Sequence, residues 1–131
     1  MTVPTGNDVP ITPGSEPYWE ATRRHELRIA WCATCSRWVH YPRPRCPTCL
    51  GTDLTWRDPG TDFRVYSWAQ HRGTDEAPGP VVVLVDVADG LRLVSNVIDG
   101  IDGIHAGARL ELTWRDLDDG RAVPIFRLSP T

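Results

Sequence analysis

From Gly60 onward, apolar and polar positions form short runs that are separated by glycine-containing turns. The runs are rich in β-branched and aromatic residues, which favour strands. They comprise residues 63–72, 81–87, 91–98, 108–117 and 122–129. Ala-Asp-Gly and Asp-Asp-Gly predict tight hairpins after the second and fourth runs, whereas a longer Gly-rich segment follows the third. Five strands with the long connection after the third predict a mainly β domain, an OB-fold barrel over residues 59–131.

Two polar features interrupt this pattern. Ser95 and Asn96 lie inside an apolar strand, and we interpret them as a β-bulge rather than a binding site. The Asp-Leu-Asp-Asp run of the last hairpin is predicted to be a solvent-exposed tip.

The N-terminal part has a different pattern. Residues 1–14 are rich in Pro, Thr, Gly and Asp without periodicity, which predicts a flexible tail. A short helix is expected over residues 15–26, with Ser15 as its N-cap and Pro17 in its first turn. Its aromatic stripe is too discontinuous for a deep core and is expected to lie on a neighbouring surface.

All four cysteines lie between Trp31 and Leu50, as two C-x2-C pairs with ten residues between them. Two such turns aim four thiolates at one point, which is the arrangement of a zinc ribbon over residues 27–58. A segment this small rarely folds without a metal. The predicted zinc ligands are Cys32, Cys35, Cys46 and Cys49. Four protein sulfurs leave no position for water, so the expected zinc is structural; iron in an all-thiolate site and free thiols are the alternatives.

Composition narrows the function classes. The net charge is −3, and all fourteen basic residues are arginine. This balance argues against a basic field for nucleic acid. No run is long enough to span a membrane, and no secretory signal is recognisable, so we expect a cytoplasmic protein with reduced cysteines. No nucleophile–base pair, P-loop or dinucleotide fingerprint is present.

Several stretches resemble one known family. PYWE, ELRIAWCATCSRWVHYPRPRCPTC, DLTW, VYSW, VVVLVDV and LVSN follow its order and spacing from about Pro17 to the end. The family was first catalogued as domain of unknown function thirty-five and is associated with acyl-CoA metabolism. The resemblance implies a short helix, a rubredoxin-like zinc ribbon and an OB-fold, in the stand-alone form.

The resemblance also implies a function. Family members resemble small subunits of thiolase-superfamily enzymes, including acyltransferases and the lipid-transfer-type aldolases that shorten sterol side chains. We therefore expect a non-catalytic accessory subunit that stabilises or activates such an enzyme, in a hetero-oligomer with two copies of each subunit. The alternative is a single-stranded nucleic-acid binder, because ribbons and OB-folds both serve that purpose.

Two sets of residues are candidates for contacts. An aromatic set could anchor the partner, since aromatic side chains dominate interfaces. It comprises Tyr18, Trp19, Trp31, Trp38 and Tyr41.

A second set could hold the nucleotide end of coenzyme A. Arginines would bind its phosphates, and aromatic rings would stack on adenine. Alternation along the first barrel strand is expected to place Arg64, Tyr66 and Trp68 on one face. The set comprises Arg64, Tyr66, Trp68, His71 and Arg72, with Arg92 as the next candidate. The alternative is that these arginines are solvated or pair with Asp62, Asp75 and Glu76.

Overall fold

The computed structural model describes residues 9–75 and 77–130. Its elements are α1 (Glu16–Thr22), β1 (Ile29–Cys32), β2 (Arg37–Val39), β3 (Leu54–Arg57), β4 (Phe63–Gln70), β5 (Val81–Ala88), β6 (Leu91–Ile98), β7 (Arg109–Asp116) and β8 (Ala122–Leu128). The prediction of a mainly β fold is confirmed. Most of the predicted tail, residues 1–8, and Glu76 lie outside the described residues. No described helix is long and apolar enough to cross a membrane.

The chain divides into two compact units. The first comprises the described residues up to Pro59 together with Arg115–Val123, and the second comprises Gly60–Trp114 and the described residues from Pro124 onward.

The first unit contains the ribbon sheet. Its three antiparallel strands lie in the order β2-β1-β3. Trp31 pairs with Trp38 on one side and with Thr55 on the other. Because successive side chains of a strand point to opposite faces, the buried Ala30 and Cys32 lie on one face and Trp31 on the other.

Helix α1 also belongs to the first unit and is shorter than predicted. Ser15 occupies the N-cap position, but its hydroxyl donates to the carbonyl of Thr12 at 2.6 Å, so the expected side-chain cap does not form. The helix ends at Thr22, whose buried hydroxyl donates to the carbonyl of Trp19 at 2.6 Å and accepts from the backbone N–H of Ala122 at 3.2 Å. This second contact ties the helix to the last hairpin.

The tip of that hairpin is not simply solvated, contrary to our expectation. Arg23 donates to the carbonyl of Asp119 at 2.8 Å, and the ring of His25 lies 2.7 Å from the carboxylate of Asp116. The carboxylates are exposed, whereas the backbone carbonyl of Asp119 accepts its hydrogen bond from Arg23, the C-cap residue of α1.

The second unit contains a closed barrel with strand order β4-β5-β6-β8-β7. Strands β6 and β8 pair in parallel at Val97 and Phe126, while the β4–β5, β4–β7 and β5–β6 pairs are antiparallel. Strand β5 alternates buried and half-buried positions along its whole length. This is the five-stranded OB-like barrel predicted from the spacing of the strands.

The bulge lies elsewhere than predicted. The β5–β6 ladder is regular through Ser95 and Asn96. The side chain of Ser95 donates to the carbonyl of Pro124 at 2.7 Å, and that of Asn96 donates to the carbonyl of Val81 at 3.0 Å. One bulge instead lies in β4, where Tyr66 is the extra residue.

That bulge changes which residues share a face. Arg64 pairs with Asp86, whereas Trp68 pairs with the buried Val83. Asp86 and Val83 are three residues apart on β5, so their side chains point to opposite faces of the sheet. Cross-strand partners share a face, so Trp68 faces the opposite side of the sheet from Arg64. The expectation that Arg64 and Trp68 lie on one face is therefore wrong.

Candidate functional site

The four cysteines come together at one end of the ribbon. Their sulfurs all lie within 4.8 Å of one another, and none is in a disulfide. The Sγ atoms of Cys32 and Cys49 are 3.7 Å apart, and those of Cys35 and Cys46 are 3.9 Å apart. A tetrahedral site with Zn–S bonds of about 2.3 Å has sulfur–sulfur edges of about 3.8 Å. The donor set therefore fits a four-thiolate zinc ion.

Backbone N–H groups surround these sulfurs. Cys35, Thr48 and Gly51 donate to the sulfurs of Cys32, Cys46 and Cys49, each at 3.4 Å. Hydrogen bonds from the backbone of Cys49 and Thr48 lower the pKa of Cys46 to about 6, which favours the thiolate that a metal binds.

The cluster also shows why a cation is needed. The hydrogen bond between the side chains of Cys35 and Cys49, together with burial, raises the pKa of Cys35 to about 12. Four thiolates this close repel one another unless a cation compensates them. Bound zinc would supply that charge and, with four sulfur ligands, would have no open position for substrate.

The buried residues around the sulfurs are few. The buried cluster of the ribbon is Ala30, Cys32, Val39 and Cys46, with Cys35, Leu54 and Trp56 packed against it. Several of these residues are predicted ligands, so the metal and the core of the ribbon coincide.

His40 lies apart from the donor set. Its ring contacts Tyr18 and Tyr41, with centroids 6.1 and 4.4 Å away. Its Nδ1 is buried without a hydrogen-bond partner in the described part of the chain, and burial lowers the pKa of His40 to about 4. The ring is therefore neutral near pH 7.

The aromatic set is only partly available to a partner. Tyr18 is 8% exposed and contacts Trp19 edge to face at 5.0 Å, so it belongs to the interior of the first unit rather than to a docking surface. Tyr41 is 61% exposed. Trp31 and Trp38 are half-buried and meet edge to face at 5.0 Å on the ribbon face opposite the cysteines. The guanidinium of Arg57 stacks over Trp31 at 4.9 Å. We call Trp31, Trp38 and Arg57 the tryptophan face.

Trp19 is held by a residue that the sequence analysis missed. Arg121 is only 2% exposed, and its Nε lies 2.8 Å from a carboxylate oxygen of Asp119. Its Nη2 donates to the carbonyl of Val9 at 2.7 Å, and its guanidinium lies 4.7 Å from the ring of Trp19. No sequence signal marked this residue, because an arginine after a hairpin turn is normally solvated.

Arg64 and Arg92 of the barrel set are already paired. Arg64 Nε lies 2.7 Å from Asp62 Oδ1, as the alternative interpretation expects. Arg92 Nε lies 2.7 Å from Asp86 Oδ1, and its guanidinium stacks on Tyr66 at 3.7 Å.

The structure does not bring the whole barrel set together. His71 and Arg72 are exposed and follow the end of β4, whereas Arg64 lies near its start. Eight residues of extended chain span about 26 Å at 3.3 Å each, so Arg64 and Arg72 cannot bind the same phosphate.

Arg64 instead lines a cleft of about 430 Å³ within the barrel unit. Its titratable lining residues are Arg64, Asp102, His105 and Arg109. Arg64 also donates to the carbonyl of Gly107 at 3.3 Å on the wall of this cleft. Two arginines and one aspartate thus line the cleft, and Arg64 also has its ion pair with Asp62.

Comparisons with known proteins identify the family. Residues 19–55, which include the four cysteines, match the family described as "ChsH2, rubredoxin-like zinc ribbon domain". A solved structure entitled "Ltp2-ChsH2(DUF35) aldolase" contains a chain that is 32% identical to this one, with a TM-score of 0.75 over 90% of this chain and 96% of that one. The chain belongs to the ChsH2 (DUF35) family.

Two further proteins are similar to this chain in structure or in sequence. A DUF35-family protein of unknown function from Sulfolobus solfataricus has a TM-score of 0.63 at 16% identity, over 95% of this chain and 87% of that one, and shows the fold alone. "Probable enoyl-CoA hydratase alpha subunit" from Thermomonospora curvata is 35% identical over 115 residues, or 84% of this chain. The chain spans 36% of the length of that curated relative.

Membership confirms the resemblance and the expected ribbon. The ChsH2 ribbon is described as a zinc ribbon, and the donor set found here has the chemistry and the sulfur spacing for structural zinc.

Proposed function

We propose that this chain is a non-catalytic accessory subunit of an enzyme that acts on acyl-CoA. The observation that carries the proposal is the 32% identity over 96% of a ChsH2 chain in a structure entitled as an aldolase with two named components. The curated relative is likewise named a subunit of a probable acyl-CoA enzyme. We further propose that the partner is a thiolase-superfamily enzyme, such as an aldolase that shortens sterol side chains, in a complex with two copies of each subunit.

The metal chemistry supports a structural rather than a catalytic role for this chain. A zinc ion on four sulfurs cannot activate water or polarise a carbonyl without losing a ligand. In this proposal the partner provides the reacting groups, and the chain stabilises it and shapes its substrate channel.

The partner is proposed to contact the exposed aromatic residues of the first unit. Trp19, Trp31, Trp38 and Tyr41 remain candidates, because each retains exposed ring surface. Tryptophan buries a large area at low entropic cost, and the nearby Arg57 adds a stacked cation of the type enriched in interfaces.

The nucleotide end of coenzyme A is proposed to bind the barrel unit at the cleft. Arg64 comes from the predicted set, and Arg109 and His105 join it there. Guanidinium groups bind phosphate oxygens in bidentate fashion, which suits a terminal phosphate. The remaining residues of the set, Tyr66, Trp68, His71 and Arg72, lie along or beyond the rest of β4.

The alternative, single-stranded nucleic-acid binding, has less support. The net charge is −3, and Arg92, whose guanidinium stacks on the ring of Tyr66, pairs with Asp86. A single-strand groove needs unpaired cations beside stacking rings.

Co-purification from the native cell tests the proposal. A tagged chain should recover an acyl-CoA enzyme in stoichiometric amount, identified by mass spectrometry, and should show no turnover of acyl-CoA alone. Trp38→Ala would be compared with the control variant Val94→Ala, which truncates an exposed apolar residue of the barrel. Trp38→Ala should weaken recovery, whereas Val94→Ala should not.

Two results would count against the proposal. Turnover by the purified chain alone would contradict a non-catalytic role. A salt-dependent shift of labelled single-stranded oligonucleotide, with no enzyme recovered, would favour the alternative.

A further inference from the structure

Strand β4 leaves the closed part of the barrel before it ends. Its pairing with β7 comprises only Phe63 with Leu110 and Arg64 with Arg109. Backbone bonds of Val65 to Gly107 and Ala108 complete that contact. Beyond them, Ser67 to Gln70 pair with β5 on one side only. Within residues 9–75 and 77–130, the other edge of this segment has no strand against it.

The register shows which groups this edge presents. The N–H of His71 donates to the carbonyl of Pro80. Residues 67, 69 and 71 of this segment therefore direct their backbone N–H and C=O groups towards β5 and its extension. The intervening residues of an antiparallel strand point their N–H and C=O groups the other way. Trp68 and Gln70 therefore offer two donors and two acceptors at the free edge.

The side chains do not protect this edge. Residues 66–70 are exposed throughout, with Tyr66 47% and Trp68 39% exposed. Proteins usually blunt such edges with charged residues or proline, and the segment Tyr-Ser-Trp-Ala-Gln contains neither. A neutral, aromatic, unpaired edge is suited to accept an added strand.

The flanking charges decide between possible occupants. Antiparallel pairing with a second copy that uses the outward groups of both Trp68 and Gln70 is centred on Ala69, and it places Tyr66 of each copy opposite Arg72 of the other. A second copy therefore offers no carboxylate to Arg72. Arg72 is exposed and has no ion pair within the described ranges. A segment with an acidic residue at the position facing Arg72 would instead complement the edge.

We propose that an extended segment of the partner enzyme, apolar in its centre and acidic towards the end that faces Arg72, adds to β4 at the free edge of Trp68 and Gln70. The inference rests on the proposed function for the identity of the partner. It makes Trp68 a contact for polypeptide, and it leaves the nucleotide to the cleft beside Arg64.

Amide hydrogen exchange tests this directly. In the free chain, the amides of Trp68 and Gln70 should exchange quickly, and those of Ser67 and Ala69 slowly. In the complex recovered with the partner, peptides covering residues 66–70 should gain two slow amides.

A matched pair of variants provides a second readout. Gln70→Pro removes an outward N–H without removing a bond to β5, and proline is tolerated on edge strands with that orientation. Gln70→Ala keeps the N–H. The proline variant should weaken partner binding at least about tenfold, as expected for losing a main-chain bond and blocking the approach of a strand, while the alanine variant should bind nearly normally. Zinc content and thermal unfolding check that both are folded; if Gln70→Pro is not, the exchange experiment decides.

Each result has a defined meaning. A partner that binds without slowing the amides of Trp68 and Gln70 overturns this inference and leaves the proposed function standing. Protection that rises with concentration in the free chain shows pairing with a second copy and also overturns it. Recovery of no acyl-CoA enzyme overturns the proposed function, and the proposed occupant falls with it.

Discussion

Removing one sulfur from the cysteine cluster should unfold the ribbon. Cys46 is fully buried and belongs to the small core of the ribbon. The apolar members of that core are few: Val39 is 3% exposed, and Leu54 and Trp56 are partly buried. Burial of each such side chain contributes about 1.5–3 kcal/mol. A structural zinc contributes about 10–16 kcal/mol of apparent binding free energy, so the metal dominates the stability of this segment.

The assay is zinc content and ribbon fluorescence. Cys46→Ser should lose the single zinc equivalent, and the emission of the ribbon tryptophans should shift to the red at all temperatures. Thr48→Ala is the matched control, because it removes only an exposed hydrogen bond from Arg37 at 2.9 Å. A Cys46→Ser protein with full zinc content and unchanged unfolding would contradict this prediction. Native protein that contains iron and shows a red ferric–thiolate spectrum would contradict zinc as the metal.

Further predictions concern single buried features. Arg121→Met should lower the free energy of unfolding by about 2 kcal/mol, because the buried guanidinium loses its hydrogen bonds to Asp119 and to the carbonyl of Val9, whereas the exposed Arg23→Met should cost under about 1 kcal/mol; equal losses in denaturant titrations would contradict this. Burial lowers the pKa of His40 to about 4, below its value of about 6.5 in the unfolded chain. The stability that His40 contributes is therefore full above pH 6.5 and is lost as the pH falls towards 4, by about 2 kcal/mol between pH 7.5 and 5. His40→Phe should show a shallower decline over that range, and an identical decline would disprove the assignment. Gly79→Ala should destabilise the β4–β5 loop by about 2 kcal/mol, since a Cβ there meets the carbonyl of His71; unchanged thermal unfolding would show that the loop can relax.

The sequence predicted the features that depend only on local sequence patterns. Runs of β-branched and aromatic residues between glycine-containing turns placed the barrel strands within about two residues, because these residue types and turns favour strands locally. The two C-x2-C pairs predicted the cluster for a similar reason, since short turns determine where the sulfurs can point.

Features that depend on distant neighbours were missed. Nothing local distinguishes Arg121 from the exposed arginines, and its burial follows from Val9, Trp19 and Asp119 meeting around it. The bulge at Tyr66 has no glycine or proline to mark it, so the face of Trp68 was predicted wrongly. Arg109 and His105 also gained significance only when the barrel brought them beside Arg64.

The partner's activity should depend on this chain if the chain is an accessory subunit. The partner enzyme, purified alone, would be titrated with the zinc-loaded chain while cleavage or transfer of its acyl-CoA substrate is followed. We predict no turnover by the chain alone, low turnover by the partner alone, and a rise that saturates at one chain per partner subunit. A partner whose turnover is the same with and without a saturating amount of the chain would contradict the account.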